Sequence, residues 1–141
     1  MKRIQCTISF SMLLLAPAAG LAQRSESTAE TCYSVGGHAD AKECMEKRAA
    51  QSAGEVRKIE AEFRKALAKT DAEPSEKHRT LAAFDASSKE YTRYRRAQCE
   101  VRAALAFGGN SASDSRWLCQ IELDARRVAD IRRAIEGMPP L

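Results

Sequence analysis

Histidine is nearly absent from this chain, with only His38 and His78 among 141 residues. The two fall on unrelated segments, and neither G-x-S-x-G nor H-E-x-x-H occurs. Nothing fills the paired roles of nucleophile and base, so an enzyme is not expected. Acidic pairs such as Glu60 and Glu62 stand two positions apart in a helical pattern and do not face each other, which removes the basis for a glycosidase-type carboxylate pair. Aromatics are few: one Trp, three Tyr and four Phe. The predicted helix faces carry mostly Lys, Arg and Glu. Period-2 alternation and internal repeats are missing, which excludes an extended sheet and a solenoid.

Long apolar runs are missing too. The most apolar stretch, Ile4 to Leu15, is interrupted by Gln5, Thr7, Ser9 and Ser11. It is shorter than the roughly 20 residues that span a bilayer. Lys2 and Arg3 precede it, Pro17 follows it, and Gly20-Leu21-Ala22 supplies small residues for cleavage before Gln23. These are the parts of an export signal over 1–22. A lipoprotein needs cysteine directly after the cut, and Gln23 stands there. The expected product is a soluble exported protein, most simply periplasmic, with no membrane anchor after cleavage. The signal carries two basic residues and no acid, so the remainder keeps a net charge of +2 out of +4. That is not a nucleic-acid binder's balance, and the cluster Arg93, Arg95, Arg96 reads as a solvated helix face.

Five cysteines are present, and loss of Cys6 with the signal leaves four. An even number in an oxidising compartment favours two disulfides. The gaps, eleven residues between Cys32 and Cys44 and nineteen between Cys99 and Cys119, do not have zinc-ligand spacing. No metal or other cofactor is expected. Three connectivities are open in principle, and the local pairs Cys32–Cys44 and Cys99–Cys119 ask least of the fold.

Residues 23–37 are polar, contain Gly36-Gly37, and read as a loop-like lead-in to a helical domain over 38–137. Three helical segments follow. The first is predicted from about Ala39 to Lys69, with a stripe of Met45, Ala49, Ser52 or Ala53, Val56, Ile59, Phe63, and Ala66 or Leu67 at steps of three and four. The second is predicted from Pro74, a good first helical residue, to about Phe107. Its stripe is Leu81, Phe84, Ser88, Tyr91, Tyr94 or Arg95, Gln98, Val101 or Arg102, and Leu105. Gly108-Gly109-Asn110 stops it, since these residues accept left-handed backbone. Ser111 or Ser113 can cap the third segment, predicted from about Asp114 to Glu136 with Trp117, Ile121, Ala125, Val128, Ile131 and Ile135 inward. The fold class expected is all-α, a small three-helix bundle whose second and third helices form a hairpin. Cys99 and Cys119 each lie about nine residues from the glycine pair, so they fall at similar heights on antiparallel helices. A Cys99–Cys119 staple across the hairpin follows.

The ordered set Tyr91, Tyr94-Arg95, Cys99, then Gly108-Gly109-Asn110, then Cys119, Leu123, Arg127 and Ile131 resembles the lysozyme inhibitor LprI-like N-terminal domain family. Cys32 and Cys44 look like that family's first cysteine pair, and Ile59 with Phe63 like its Leu-x₃-Tyr step. The likeness covers roughly Thr31 to Ile135. Departures are Tyr91 for a usual tryptophan, Phe63 for a tyrosine, and Arg96 for an acid. The resemblance implies an exported helical protein that inhibits lysozyme or another peptidoglycan hydrolase by blocking its cleft. An immunity protein against a delivered toxin and a structural or stress-related envelope protein are the alternatives.

Tyr91, Tyr94, Arg95 and Arg127 are expected to be structural, with Arg95 paired to Glu60, Glu62 or Asp124 because a half-buried guanidinium needs a carboxylate. Target-binding candidates are the loop around Tyr33, Gly37, His38 and Asp40, and the turn at Gly108, Gly109 and Asn110. Both are loops on a rigid scaffold, where function concentrates. Asp40, Glu43 and Glu46 suit the positive end of a helix dipole, and an acidic patch facing a basic lysozyme is the second reading. Tyr33 is the one loop aromatic expected as an anchor.

Overall fold

The computed structural model describes residues 28–139. The expected export signal and the start of the lead-in lie outside them. Helix accounts for 86% of the described residues, with no strand among them. The described residues form four helices: α1 over 28–33, α2 His38–Lys69, α3 Pro74–Ala104 and α4 Asn110–Glu136.

The three-helix expectation is corrected by α1, which occupies the part of the chain read as loop. Its sequence is polar, but Cys32 is fully buried, bonded to Cys44 and packed beside Ala41 and Met45. Thr28 is buried as well. A single covalent link and one inward face hold a segment whose composition shows no apolar period. The second disulfide, Cys99–Cys119, staples α3 to α4, and both disulfides have Cα atoms 5.5 Å apart. The two local pairings are those expected.

The predicted inward stripe of α2 is buried from Met45 to Leu67, extended by Ala41. α3 differs after Arg95. Its inward line continues through Cys99 and Ala103 at steps of four, leaving Val101 and Leu105 in solvent. The disulfide sets that face inward. α3 ends at Ala104 rather than Phe107, and α4 begins at Asn110 rather than Asp114. Gly109 is the cap residue of α4. Ser111 and Ser113 instead donate to the carbonyls of Gly108 and Asn110, at 3.1 and 2.9 Å. Pro74 does open α3, after a turn in which the Thr70 hydroxyl donates to the Leu67 carbonyl at 2.8 Å.

α4 is the central helix. It packs extensively on α2 and on α3, whereas α2 and α3 meet only sparsely. From Ala112 to Ala125 no residue of α4 is fully exposed. Since α4 is antiparallel to α3, it runs parallel to α2. Cys32, Ala41 and Met45 therefore pack with Trp117 and Leu118 at one end. At the other, Ile59, Phe63, Leu67 and Ile131 pack with Leu81, Phe84, Val128 and Ile135. The Phe63 and Phe84 rings stack at 3.9 Å and 10°. Burying the Phe63 ring contributes roughly 1.5–3 kcal/mol, and the partly buried Phe84 ring less.

Between these apolar clusters lies a buried polar layer. Asp124, 1% exposed, accepts from Ser52 Oγ at 2.8 Å, Tyr91 Oη at 2.6 Å and Arg95 Nη2 at 2.8 Å. One carboxylate thus joins α2, α3 and α4. Burial, then the bond to Asp124, holds the Tyr91 hydroxyl far above its ordinary pKa. One turn on, Arg127 donates to Ser87 and Ser88 at 3.0 and 3.1 Å, lies 3.5 Å from Glu60, and covers the Phe84 and Tyr91 rings. No helix of the described residues is long and apolar enough to cross a membrane.

Candidate functional site

The topology brings both sequence-predicted loops to one end of the molecule. The α1–α2 loop (34–37) and the α3–α4 turn (105–109) flank the N-terminal end of α4. A side-chain bond ties α1 to α4 beside them: the Tyr33 hydroxyl donates to the carboxylate of Asp114, buried in the first turns of α4. That bond, then partial burial and the carboxylate's charge, raise the Tyr33 pKa. Tyr33 is therefore at the end of α1 and anchored, not a free loop aromatic, although its ring stays half-exposed.

Local chemistry fixes the first loop. The Gly37 N–H donates to Asp40 Oδ2 at 3.2 Å, so Asp40 closes the start of α2 as one half of a capping arrangement. A Cβ on Gly36 would run into the same carboxylate, which explains a residue without one there. Ser34 Oγ donates to the Thr31 carbonyl at 2.8 Å. His38, the first residue of α2, is exposed, and its ring centroid lies 6.4 Å from that of Tyr33. The Cys32–Cys44 bond holds the loop from beneath.

The second loop turns through three consecutive residues with positive φ: Phe107 at 54°, Gly108 at 92° and Gly109 at 68°. The glycines take this conformation without strain, whereas a phenylalanine does so at a cost. Asn110 is exposed at the start of α4. The Glu100–Arg116 ion pair, at 2.8 Å, spans the hairpin below the turn, close to the Cys99–Cys119 disulfide.

Of the residues expected to be structural, Tyr91, Arg95 and Arg127 occupy the buried layer, and Asp124 is the partner of Arg95. Tyr94 is different. It is 53% exposed and lies over the α3–α4 seam beside Gln98, Arg102, Glu122 and Arg126. The inward line passes through Arg95, one residue later, so Tyr94 points away from the core and the packing role is withdrawn. Sequence reasoning missed two residues of the loop end, Asp114 and Phe107. Asp114 looks like a capping residue, and its distant bond to Tyr33 has no local signature. Phe107 looks like the end of a helical stripe, yet it is the most exposed large apolar side chain among the described residues. Its position directly before two glycines was the available signal.

The described residues hold no group of three or more His, Cys, Asp and Glu side chains placed to bind a metal ion. The arrangement is a rigid helical support, locked by two disulfides, that displays two short loops on one end.

No curated protein and no solved structure matches the chain. A family profile described as Lysozyme inhibitor LprI matches residues 23–131. That span contains both disulfides, the buried polar layer and both loops of the exposed end, and by it the chain belongs to the lysozyme inhibitor LprI family.

Proposed function

We propose that this protein inhibits a lysozyme or a related cell-wall hydrolase in the periplasm, by occluding the enzyme's cleft with the loop end of the bundle. Family membership supports the target class. The observation that supports the location is that both loops lie at the N-terminal end of α4, where Tyr33 bonds α1 to Asp114. Tyr33, Gly37, His38 and Asp40 form one side of the contact, and Gly108, Gly109 and Asn110 the other. Each loop is held by a disulfide, so little ordering entropy is lost on binding. The buried Asp124–Arg95–Tyr91 layer acts as support for this end and makes no contact with the target.

The reading is tested by clearing of cell-wall suspensions with a panel of lysozymes. The chain without its signal is expected to slow clearing by at least one enzyme. His38→Ala and Asn110→Trp are expected to weaken that inhibition, with far-UV circular dichroism and melting temperature unchanged. Wild-type inhibition in both variants would place the contact elsewhere. A chain that inhibits no hydrolase of the panel would remove the target class.

A further inference from the structure

The turn between α3 and α4 places a bulky aromatic where neither folding nor backbone preference favours one. Phe107 is 93% exposed, and its φ of 54° lies in the left-handed region. A phenyl ring in solvent contributes nothing to the core, and its Cβ strains a position that glycine would occupy freely. Strain held at a loop tip, with no gain within the fold, points outward to a function. Leu105, 64% exposed, and Val101 continue the apolar surface down α3.

The charge pattern singles out the same segment. Charged residues make up 30% of the chain, yet the eleven residues from Ala103 to Ser113 contain none. The acids flanking the segment are also occupied: Glu100 is paired with Arg116, and Asp114 is buried under the Tyr33 hydroxyl. The tip therefore offers no unpaired carboxylate. Glycoside hydrolases of the lysozyme kind carry two carboxylates, roughly 5–9.5 Å apart, on either side of the scissile bond. An acidic tip entering such a cleft would meet like-charge repulsion that cannot be screened once water is excluded. A neutral apolar tip avoids that repulsion, since Arg102 and Arg116 at its base are paired with Glu122 and Glu100 and leave no net charge there.

We propose that Phe107 is the aromatic anchor of inhibition, entering the carboxylate-bearing glycan cleft of a cell-wall hydrolase, with Leu105 and Val101 packing against its rim. This rests on the reading of the protein as a hydrolase inhibitor and names the side chain that carries the binding. Gly108 and Gly109, without side chains, let the turn approach the cleft wall closely. Buried aromatics at interface centres carry a large share of binding energy.

The test uses the signal-free chain with both disulfides intact, against a hydrolase that the wild type inhibits. Phe107→Gly is expected to weaken inhibition about thirtyfold or more, the loss typical of a removed anchor. Its melting temperature is expected to stay the same or rise, because glycine relieves the left-handed strain. Phe107→Trp should retain inhibition. Loss of inhibition together with a lowered melting temperature in Phe107→Gly would assign Phe107 a structural role and overturn the proposal. Inhibition by Phe107→Gly equal to wild type overturns it while leaving the inhibitor reading standing. A wild type that dissociates from dimer to monomer on this substitution, with inhibition kept, likewise overturns it and gives the tip to self-association. Failure of the wild type to inhibit any hydrolase overturns the underlying reading and this proposal with it.

Discussion

Replacing Asp124 with alanine removes the one carboxylate that three helices share. The Tyr91 hydroxyl then loses its acceptor within a half-buried site, and Arg95 loses its ion-pair partner. Ser52 is less affected, because its hydroxyl also reaches the Ala49 carbonyl at 3.0 Å. Arg95 retains a longer contact with Gln120, at 3.4 Å, and its side chain is 21% exposed, so water offsets part of its loss. A stranded hydroxyl costs about 1–3 kcal/mol, and an ion pair broken from one side about 3–5 kcal/mol when fully buried. With partial access to water, the sum expected for Asp124→Ala is about 3 kcal/mol. For a domain of this size that is a fall in melting temperature of about 10–15 °C. Urea unfolding with the disulfides intact measures it. A double-mutant cycle with Arg95→Ala should show a coupling of about 1–3 kcal/mol, since the two side chains share one site. A loss for Asp124→Ala below about 1 kcal/mol, or additive single variants, would refute the view that this layer fixes the three helices.

Tyr91 supplies the pH dependence. Its folded pKa is raised above the ordinary 10.0, so the folded chain keeps a proton that the unfolded chain releases. The stability it contributes is fully present below about pH 10 and declines as pH rises above that value. Urea midpoints at high pH should show this fall, and Tyr91→Phe should reduce it. Paired substitution of Cys99 and Cys119 by alanine should lower stability by about 3 kcal/mol on the chain-entropy model, with helicity retained before denaturant is added. The same change at Cys32 and Cys44 should cost a similar amount. It should also release α1 from Ala41 and Met45, read as faster amide exchange in residues 28–37.

The helices most legible in the sequence are those whose burial follows apolar side chains. α2 is the clearest, because Met45, Val56, Ile59, Phe63 and Leu67 repeat at helical steps and are all buried. α3 is legible only as far as Arg95. Beyond it the inward positions are Cys99 and Ala103, small residues that a stripe of larger apolar side chains passes over. α4 lies between two neighbours and is covered around much of its circumference. Its apolar stripe from Trp117 to Ile135 announces one neighbour, whereas the second is met by buried Cys119 and Asp124, which no apolar period marks. α1 has no signature in the sequence because its residues are polar, and its place rests on the Cys32–Cys44 disulfide and the Tyr33–Asp114 bond. At the candidate site, the two loops were legible as glycine-bearing breaks near cysteines. Their meeting at one end required the topology, and the Tyr33–Asp114 bond joins residues 81 positions apart. The sequence pattern continues the helix through Phe107, because a helix end is set by backbone geometry that composition does not fix.

On the function proposed above, the loop end of the bundle is the surface that meets a cell-wall hydrolase. Amide hydrogen exchange of the signal-free chain, alone and with a hydrolase that it inhibits, tests this most directly. Protection on complex formation is expected within residues 34–40 and 105–113, with the middle of α2 and α3 unchanged. Protection confined to the outer faces of those helices, or no protected complex with any hydrolase, would contradict it.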